Sequence, residues 1–409
     1  MKKDRNMRAK NNSRKKIIYS ILLFLITSSP AMSEQSIIYS NIGPNHQELC
    51  SGQGYPKSRN YINDCNMIGS FGDMSSLFPH TKVKKGREIF ELPYKSPSSP
   101  KENRLYNIAA NLISDHPATS LIIWADGGII FEAYQYGMNE NTLFTSFSMQ
   151  KSFLGQLIGV ALNEGKISSL DDKVTKYYQE LTGTGWSDVS LLQALTMTSS
   201  MPVDQRGLLV PILFKNMSVT ESLRRHSKAT GTHGSSFQYN DANSLVLGKV
   251  LENAYGESLA SITSKKIWSK IGAESDATIL TNRRGEAVSN SFFNARSRDY
   301  LRWGLLLLSN GKNAFGDQVI PEDWVEQISG KGGLTSKCPL RRGCLPGGFG
   351  YSAQTWLAPN SDGFLFMGKY GQEVAIFPKS RTVIVMTGAS KDPIMTSKFF
   401  SALVREAGQ

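Results

Sequence analysis

The chain has 409 residues, of which 40% are hydrophobic and 10% aromatic, without low-complexity tracts or internal repeats, the make-up of a globular protein with room for more than one domain. Its formal net charge is +12, but residues 1–33 hold eight basic side chains and one acid, which leaves 38 basic against 33 acidic residues elsewhere. The remainder is only mildly basic, its charges are scattered and it carries no nucleic-acid-binding motif, so no nucleic-acid partner is expected.

At the N-terminus a basic stretch precedes the apolar run Ile17-Ile-Tyr-Ser-Ile-Leu-Leu-Phe-Leu-Ile-Thr27, and Ala31-Met-Ser33 supplies small residues for cleavage before Glu34. Residues 1–33 therefore read as a secretory signal, which predicts a periplasmic or secreted protein. The run is shorter than the roughly 20 apolar residues of a membrane span, so no stable span is expected after cleavage; retention as an anchor is the alternative. Export places Cys50, Cys65, Cys338 and Cys344 in an oxidising compartment, where an even number of cysteines points to disulfides. Three pairings are open, and local closure favours Cys50–Cys65 with Cys338–Cys344. Neither pair has Cys-x-x-Cys spacing and the five histidines do not complement them, so no metal and no cofactor are expected.

Residues 34–100 are rich in Gly, Pro, Ser and Asn and read as an irregular, disulfide-pinned extension ending in the linker Lys95-Ser-Pro-Ser-Ser-Pro100. A helix follows over Glu102–Ser114. Leu121–Trp124 and Ile129–Tyr134 then flank Asp126-Gly127-Gly128, a β-hairpin signal. Leu154, Leu157, Ile158, Ala161 and Leu162 step at helical spacing after Ser148, and Gly165 stops that helix. Further helices are expected over Asp172–Leu181, Ser190–Met197, Thr220–His226, Asp241–Ala254, Ser258–Ile271, Arg298–Leu308 and Pro321–Ile328. Strands return at Phe364–Met367, Glu373–Phe377 and Thr382–Met386, with a closing helix over Pro393–Arg405. This order implies an α+β fold: an antiparallel sheet built from the N- and C-terminal segments (101–147 and 290–409), flanked by helices, with a mostly helical domain (148–289) inserted and the site at the seam.

Four Ser-x-x-Lys tetrads occur: Ser13/Lys16, Ser98/Lys101, Ser148/Lys151 and Ser309/Lys312. The first lies in the signal, the second in the linker and the fourth in a helix-ending loop. Only Ser148/Lys151 opens a long apolar helix after a hairpin. Residues three apart on a helix share a face, so the Lys151 amine can lie beside the Ser148 hydroxyl, which is how a weak hydroxyl nucleophile is activated. Among apolar neighbours the lysine is expected to have its pKa lowered by desolvation. Tyr239, just before the Asp241 helix, is placed to shuttle a proton. In Gly368-Lys-Tyr-Gly-Gln372, Gly371 permits close backbone approach and the Gln372 N–H can point at an oxyanion. Gly-x-Ser-x-Gly and His-Glu-x-x-His are both absent from the sequence, which removes the α/β-hydrolase and zincin routes.

The ordered set Ser148-x-x-Lys151, Tyr239-Asn-Asp241 and Lys369-Tyr-Gly371 resembles the serine β-lactamase and penicillin-binding-protein superfamily, most closely its branch of 6-aminohexanoate-dimer hydrolase-like enzymes. The likeness extends through Leu170–Val174, Leu191–Ser199, Arg298-Asp299 and Gly348–Tyr351. It implies an exported serine hydrolase acting on a small ester or linear amide. Ser148 is the implied nucleophile, Lys151 and Tyr239 the acid/base groups, and the Ser148 and Gln372 N–H groups the oxyanion hole. Asp241, Lys369, Tyr370 and Gly371 are implied to meet the substrate. Asp241 replaces an amide and Tyr370 a small hydroxyl, both of which move the substrate away from penicillins. A β-lactamase or D-Ala-D-Ala peptidase, and a wall-binding protein with a decayed site, remain the alternatives. Substrate choice is assigned to the loops 202–215 and 330–347.

Overall fold

The hydrophobic runs from the two ends of the chain meet in one sheet. The computed structural model describes residues 37–49, 54–337, 348–391 and 393–409. Across this sheet the strands are Ile38–Tyr39, Gly128–Tyr134, Ala118–Ala125, Thr382–Gly388, Gln372–Phe377, Phe364–Gly368, Thr355–Leu357, Gly350–Ser352 and Thr335–Lys337. The first pairing is parallel and the others are antiparallel.

The central strands are apolar on both faces because both faces are covered. Leu121, Ile123, Ala375, Phe377, Ile384 and Met386 enter one core, while Ile122, Trp124, Val374, Ile376, Val383 and Val385 enter the other. Helices Pro100–Asp115 and Pro393–Gly408 lie on the first face, and helix Ser297–Leu308 on the second. That last helix is fastened at its start: Arg298 Nε donates to Glu132 Oε1 at 2.9 Å, and the Asp299 carboxylate accepts the N–H groups of Glu274 and Ser275 at 2.8 and 3.2 Å.

Helix Pro100–Asp115 begins on a capping box in which Ser99 accepts from the Glu102 N–H and Glu102 reaches back. Lys95 donates to Glu102 at 2.7 Å, and Ser98 N–H at 2.7 Å. Burial alone would raise the Glu102 pKa, but these donors hold it down at about 2. Its folded pKa lies below the unfolded value near 4.3, so its contribution is complete above that value and disappears as pH falls from about 4.3 towards 2. Glu102→Gln is expected to lose about 1–3 kcal/mol at neutral pH, and the gap to wild type should close over that acid window in chemical denaturation.

Residues 54–83 differ from the irregular extension expected. They form helices Asp64–Phe71 and Met74–Leu77 and the strand His80–Val83, which pairs with Ala277–Leu280. These elements are 4 to 8 residues long, and the strand finds its partner some 200 residues away, so no local periodicity announces them. A second sheet results, ordered His80–Val83, Ala277–Leu280, Phe293–Ala295, Phe144–Thr145. The segment assigned to a substrate loop at 202–215 is largely the helix Gln205–Phe214, capped by Asp204 and containing Pro211. Of the loop 330–347, Thr335–Lys337 is the edge strand of the large sheet, and 338–347 lie outside the described residues.

Helix Asp241–Tyr255 packs against Gln150–Asn163, Leu191–Leu195 and Leu259–Lys266, and residues 35–409 form one unit. Cys65 is disulfide-bonded. Residues 1–33, read from the sequence as a secretory signal, and Cys50, Cys338 and Cys344 lie outside the described residues. Among those residues no helix is long and apolar enough to cross a membrane.

Candidate active site

Strand Phe144–Thr145 delivers the chain into the site by pairing with Phe293–Ala295. Ser146 continues the match, its N–H donating to the Phe293 carbonyl at 2.7 Å and its Oγ accepting the Phe293 N–H at 3.0 Å. Phe147 then takes a left-handed φ of 44°, unfavourable for a bulky residue by about 1–2 kcal/mol. Its ring is held by Phe71, Tyr370 and Phe292 at centroid distances of 4.9, 5.0 and 5.4 Å, which is where the strain is offset. The turn Phe147–Met149 is 3₁₀, and the α-helix runs over Gln150–Asn163. Ser148 thus stands on the tight turn before the helix, with Lys151 in its first α-turn.

Lys151 is 1% exposed and Ser148 9%. Lys151 Nζ donates to Ser148 Oγ at 2.9 Å and to the Asn290 carbonyl at 2.8 Å. A third contact, to Asp241 Oδ1, is an ion pair at 2.6 Å, short but bent away from good hydrogen-bond alignment. Burial alone would lower the Lys151 pKa, as the sequence suggests. The Asp241 charge, followed by Tyr239, reverses the sign, and the amine is raised above its ordinary value. For Asp241 burial would raise the pKa and the Lys151 charge overrides it, so the carboxyl is lowered. Asp241, expected to face the substrate, is therefore turned inward onto the lysine.

Tyr239 is held on the extended segment before helix Asp241–Tyr255. Asn240 caps that helix and donates from Nδ2 to the Met201 and Pro202 carbonyls at 3.0 and 2.9 Å, and Gln238 N–H donates to Met197 O at 2.7 Å. The Tyr239 ring stacks on Trp356 at 5.3 Å and meets Tyr351 edge-on at 6.0 Å. Lys151 Nζ lies 5.2 Å from its centroid. Tyr239 is partly exposed, and its phenol feels the Lys151 charge and the Ser148 hydroxyl; burial dominates and raises the phenol pKa.

The hairpin Gly368–Gln372 closes the other side. A Cβ on Gly368 would come within 2.2 Å of the Ser146 carbonyl, so this strand end passes directly against the turn that carries Ser148. Tyr370 and Gly371 both adopt left-handed φ, 69° and 92°. Gln372 is locked by its own side chain, which donates to Gly388 O at 2.6 Å. Lys369 reaches Gln205 Oε1 at 2.5 Å and acts on Asp241 only through its charge.

The fold thus brings Ser148, Lys151, Tyr239 and Asp241 together and sets Tyr370, Gly371 and Gln372 beside them, while Lys369 turns to helix Gln205–Phe214. Sequence reasoning misses Asn290, which acts through a backbone carbonyl, and the aromatic wall of Tyr61, Phe71 and Phe292 around Phe147. The signal for Tyr61 and Phe71 in that wall is the aromatic content of the N-terminal segment.

Residues 108–408 match the Beta-lactamase family model. A 6-aminohexanoate-dimer hydrolase of Paenarthrobacter ureafaciens is 25% identical over 354 residues, covering 79% of this chain and 86% of that protein. Among solved structures, a Bacillus anthracis protein provisionally designated a 6-aminohexanoate-dimer hydrolase aligns with a TM-score of 0.74 and 25% identity, over 85% of this chain and 95% of that one. A penicillin-binding protein of Bacillus halodurans, 17% identical, shares the fold with a TM-score of 0.56 over 73% of this chain and 99% of its own. With a serine and a lysine three residues apart, hydrogen-bonded and buried at the seam between sheet and helices, the chain belongs to the beta-lactamase family.

Proposed function

We propose that this chain is an exported serine hydrolase that cleaves a small ester or linear amide through an acyl-enzyme on Ser148. The observation that carries the reading is the 2.9 Å contact between Lys151 Nζ and Ser148 Oγ inside a closed polar cluster. In acylation the neutral Lys151 amine takes the Ser148 proton as Oγ bonds to the substrate carbonyl carbon. The Ser148 and Gln372 N–H groups receive the oxyanion. Collapse expels the alcohol or amine, which takes a proton from Lys151 by way of the Tyr239 hydroxyl. Water then repeats the sequence on the ester of Ser148 and releases the acid.

The relatives named for 6-aminohexanoate-dimer hydrolysis support a linear amide or a related ester as substrate class. Tyr370 fills space beside Phe147 with an aromatic ring, which favours extended acyl chains over fused bicyclic ones. Export, with Cys50–Cys65 and Cys338–Cys344 as the disulfides, completes the reading; its motive is the signal segment together with the bonded Cys65.

Treating the purified protein with a fluorophosphonate probe and mapping the adduct by mass spectrometry tests the nucleophile. One adduct, on Ser148, is expected. A panel of short-chain esters, linear amides and a chromogenic cephalosporin should show turnover of the first two classes. Failure to label Ser148 would favour the wall-binding alternative, and rapid cephalosporin turnover the β-lactamase one.

A further inference from the structure

We propose that Asp241 is a positioning residue that makes Lys151 a directed base: its carboxylate pins one side of Nζ, and with the Asn290 carbonyl leaves the remaining side facing Ser148. The inference rests on the reading of Ser148 as nucleophile and assigns Asp241 a role within that site in place of substrate contact.

An ammonium has three N–H groups and a neutral amine has two with one lone pair. Around Lys151 stand three oxygens, at 2.6 Å (Asp241), 2.8 Å (Asn290 carbonyl) and 2.9 Å (Ser148). Neither of the first two can give a proton: the Asn290 carbonyl takes an N–H in either protonation state, and the Asp241 carboxylate, although its contact is bent, repels the lone pair of a neutral amine and so keeps an N–H side turned towards itself. When the amine is neutral, its lone pair is left for Ser148 Oγ, the only one of the three that can give a proton. An asparagine at 241 could rotate and offer an N–H to that lone pair; a carboxylate cannot. Asp241 is also the counter-charge for the ammonium formed when the Ser148 proton arrives. With side-chain exposures of 1% and 4%, neither partner can exchange the other for water.

The titratable groups around this pair are few. Lys151 faces Asp241 and Tyr239, Asp241 additionally feels Lys369 from the Gly368–Gln372 hairpin, and Tyr351 feels both Tyr239 and Asp241. The charge opposite Lys151 therefore comes from Asp241. Because the carboxylate favours the ammonium, it moves the supply of neutral amine to higher pH. The second consequence is an alkaline-shifted reaction.

The test follows the second-order rate of fluorophosphonate labelling of Ser148 in the full chain from about pH 5 to about pH 10. For wild type the rate is expected to keep rising across this range without a plateau, because the amine is raised above its ordinary value. Asp241→Asn should reach its plateau at least about one pH unit lower, and at a smaller limiting rate, because a less basic amine is a weaker base. Asp241→Glu should restore the wild-type shape. An Asp241→Asn profile superimposable on wild type overturns the proposal. Should the asparagine variant not fold, wild type itself decides: the Lys151 Cε signal in ¹³C NMR, identified by its loss in Lys151→Arg, should titrate above the range of an ordinary lysine. A midpoint at or below that range overturns the proposal. Absence of any Ser148 adduct in wild type would instead sink the hydrolase reading, and the NMR titration would still report on Asp241.

Discussion

Ser148→Ala is expected to lower kcat for ester hydrolysis by at least about 10⁴-fold with little change in melting temperature. The side chain lost is small, and Lys151 keeps the Asn290 carbonyl and the Asp241 carboxylate as partners, so no buried charge is stranded. Lys151→Ala should be as inactive but for a compound reason. It removes the base and also leaves the Asp241 carboxylate buried without its counter-ion, which costs about 3–5 kcal/mol when one partner of a buried pair is deleted. The two variants thus separate chemistry from structure: equal loss of rate, unequal loss of stability. The double variant should be no slower than either single one, since residues that act as a unit are not additive. Steady-state kinetics with an activated ester, together with denaturant melts, provide both readings. A Ser148→Ala enzyme within tenfold of wild type would exclude the acyl-enzyme.

The second large effect is expected from a residue that bears no functional group. Gly368→Ala should reduce kcat by about 10²-fold while leaving the enzyme folded. The added methyl would stand 2.2 Å from the Ser146 carbonyl and 3.1 Å from Phe147 Cβ, both on the turn that carries Ser148. Ser146 is itself paired to Phe293, so the turn cannot recede, and the strand end must move outward. Gly368 lies opposite Gln372 in the sheet register, so the displacement carries the Gln372 N–H away from the Ser148 N–H. Loss of about 1–3 kcal/mol of stability should accompany it, as for other overpacked sites. The distinguishing measurement is kcat against KM: a spread oxyanion pair slows the chemical step and leaves binding nearly unchanged. An unaltered kcat would mean that the hairpin does not contribute to the oxyanion site.

What the sequence disclosed follows from where each signal was stored. The strands at 118–134 and 364–388 were visible because both their faces are buried, which leaves uninterrupted β-branched and aromatic runs between turn residues. Ser148 and Lys151 were visible because their relation is local, three residues along one turn. Asp241 was noticed as a departure, yet its partner lies 90 positions earlier and only the fold reveals it. The helix Gln205–Phe214 was hidden by Gly207 and Pro211, which locally argue for a break. Asn290 carries no local signal, since its contact with Lys151 is made by a main-chain oxygen.

The small sheet beside Ser148 also bears on where this protein can be cut. The family match begins at residue 108, but the edge strand His80–Val83 precedes that point and shields Ala277–Leu280. Phe71, which supports Phe147 in its strained conformation, precedes it too. A fragment trimmed to the family boundaries would expose an unpaired strand edge, ready to capture another chain, and would relax the turn that presents Ser148. The stretch matched by the family model is therefore smaller than the folding unit, and residues 54–83 act as a built-in brace that a truncated fragment would have to replace by self-association.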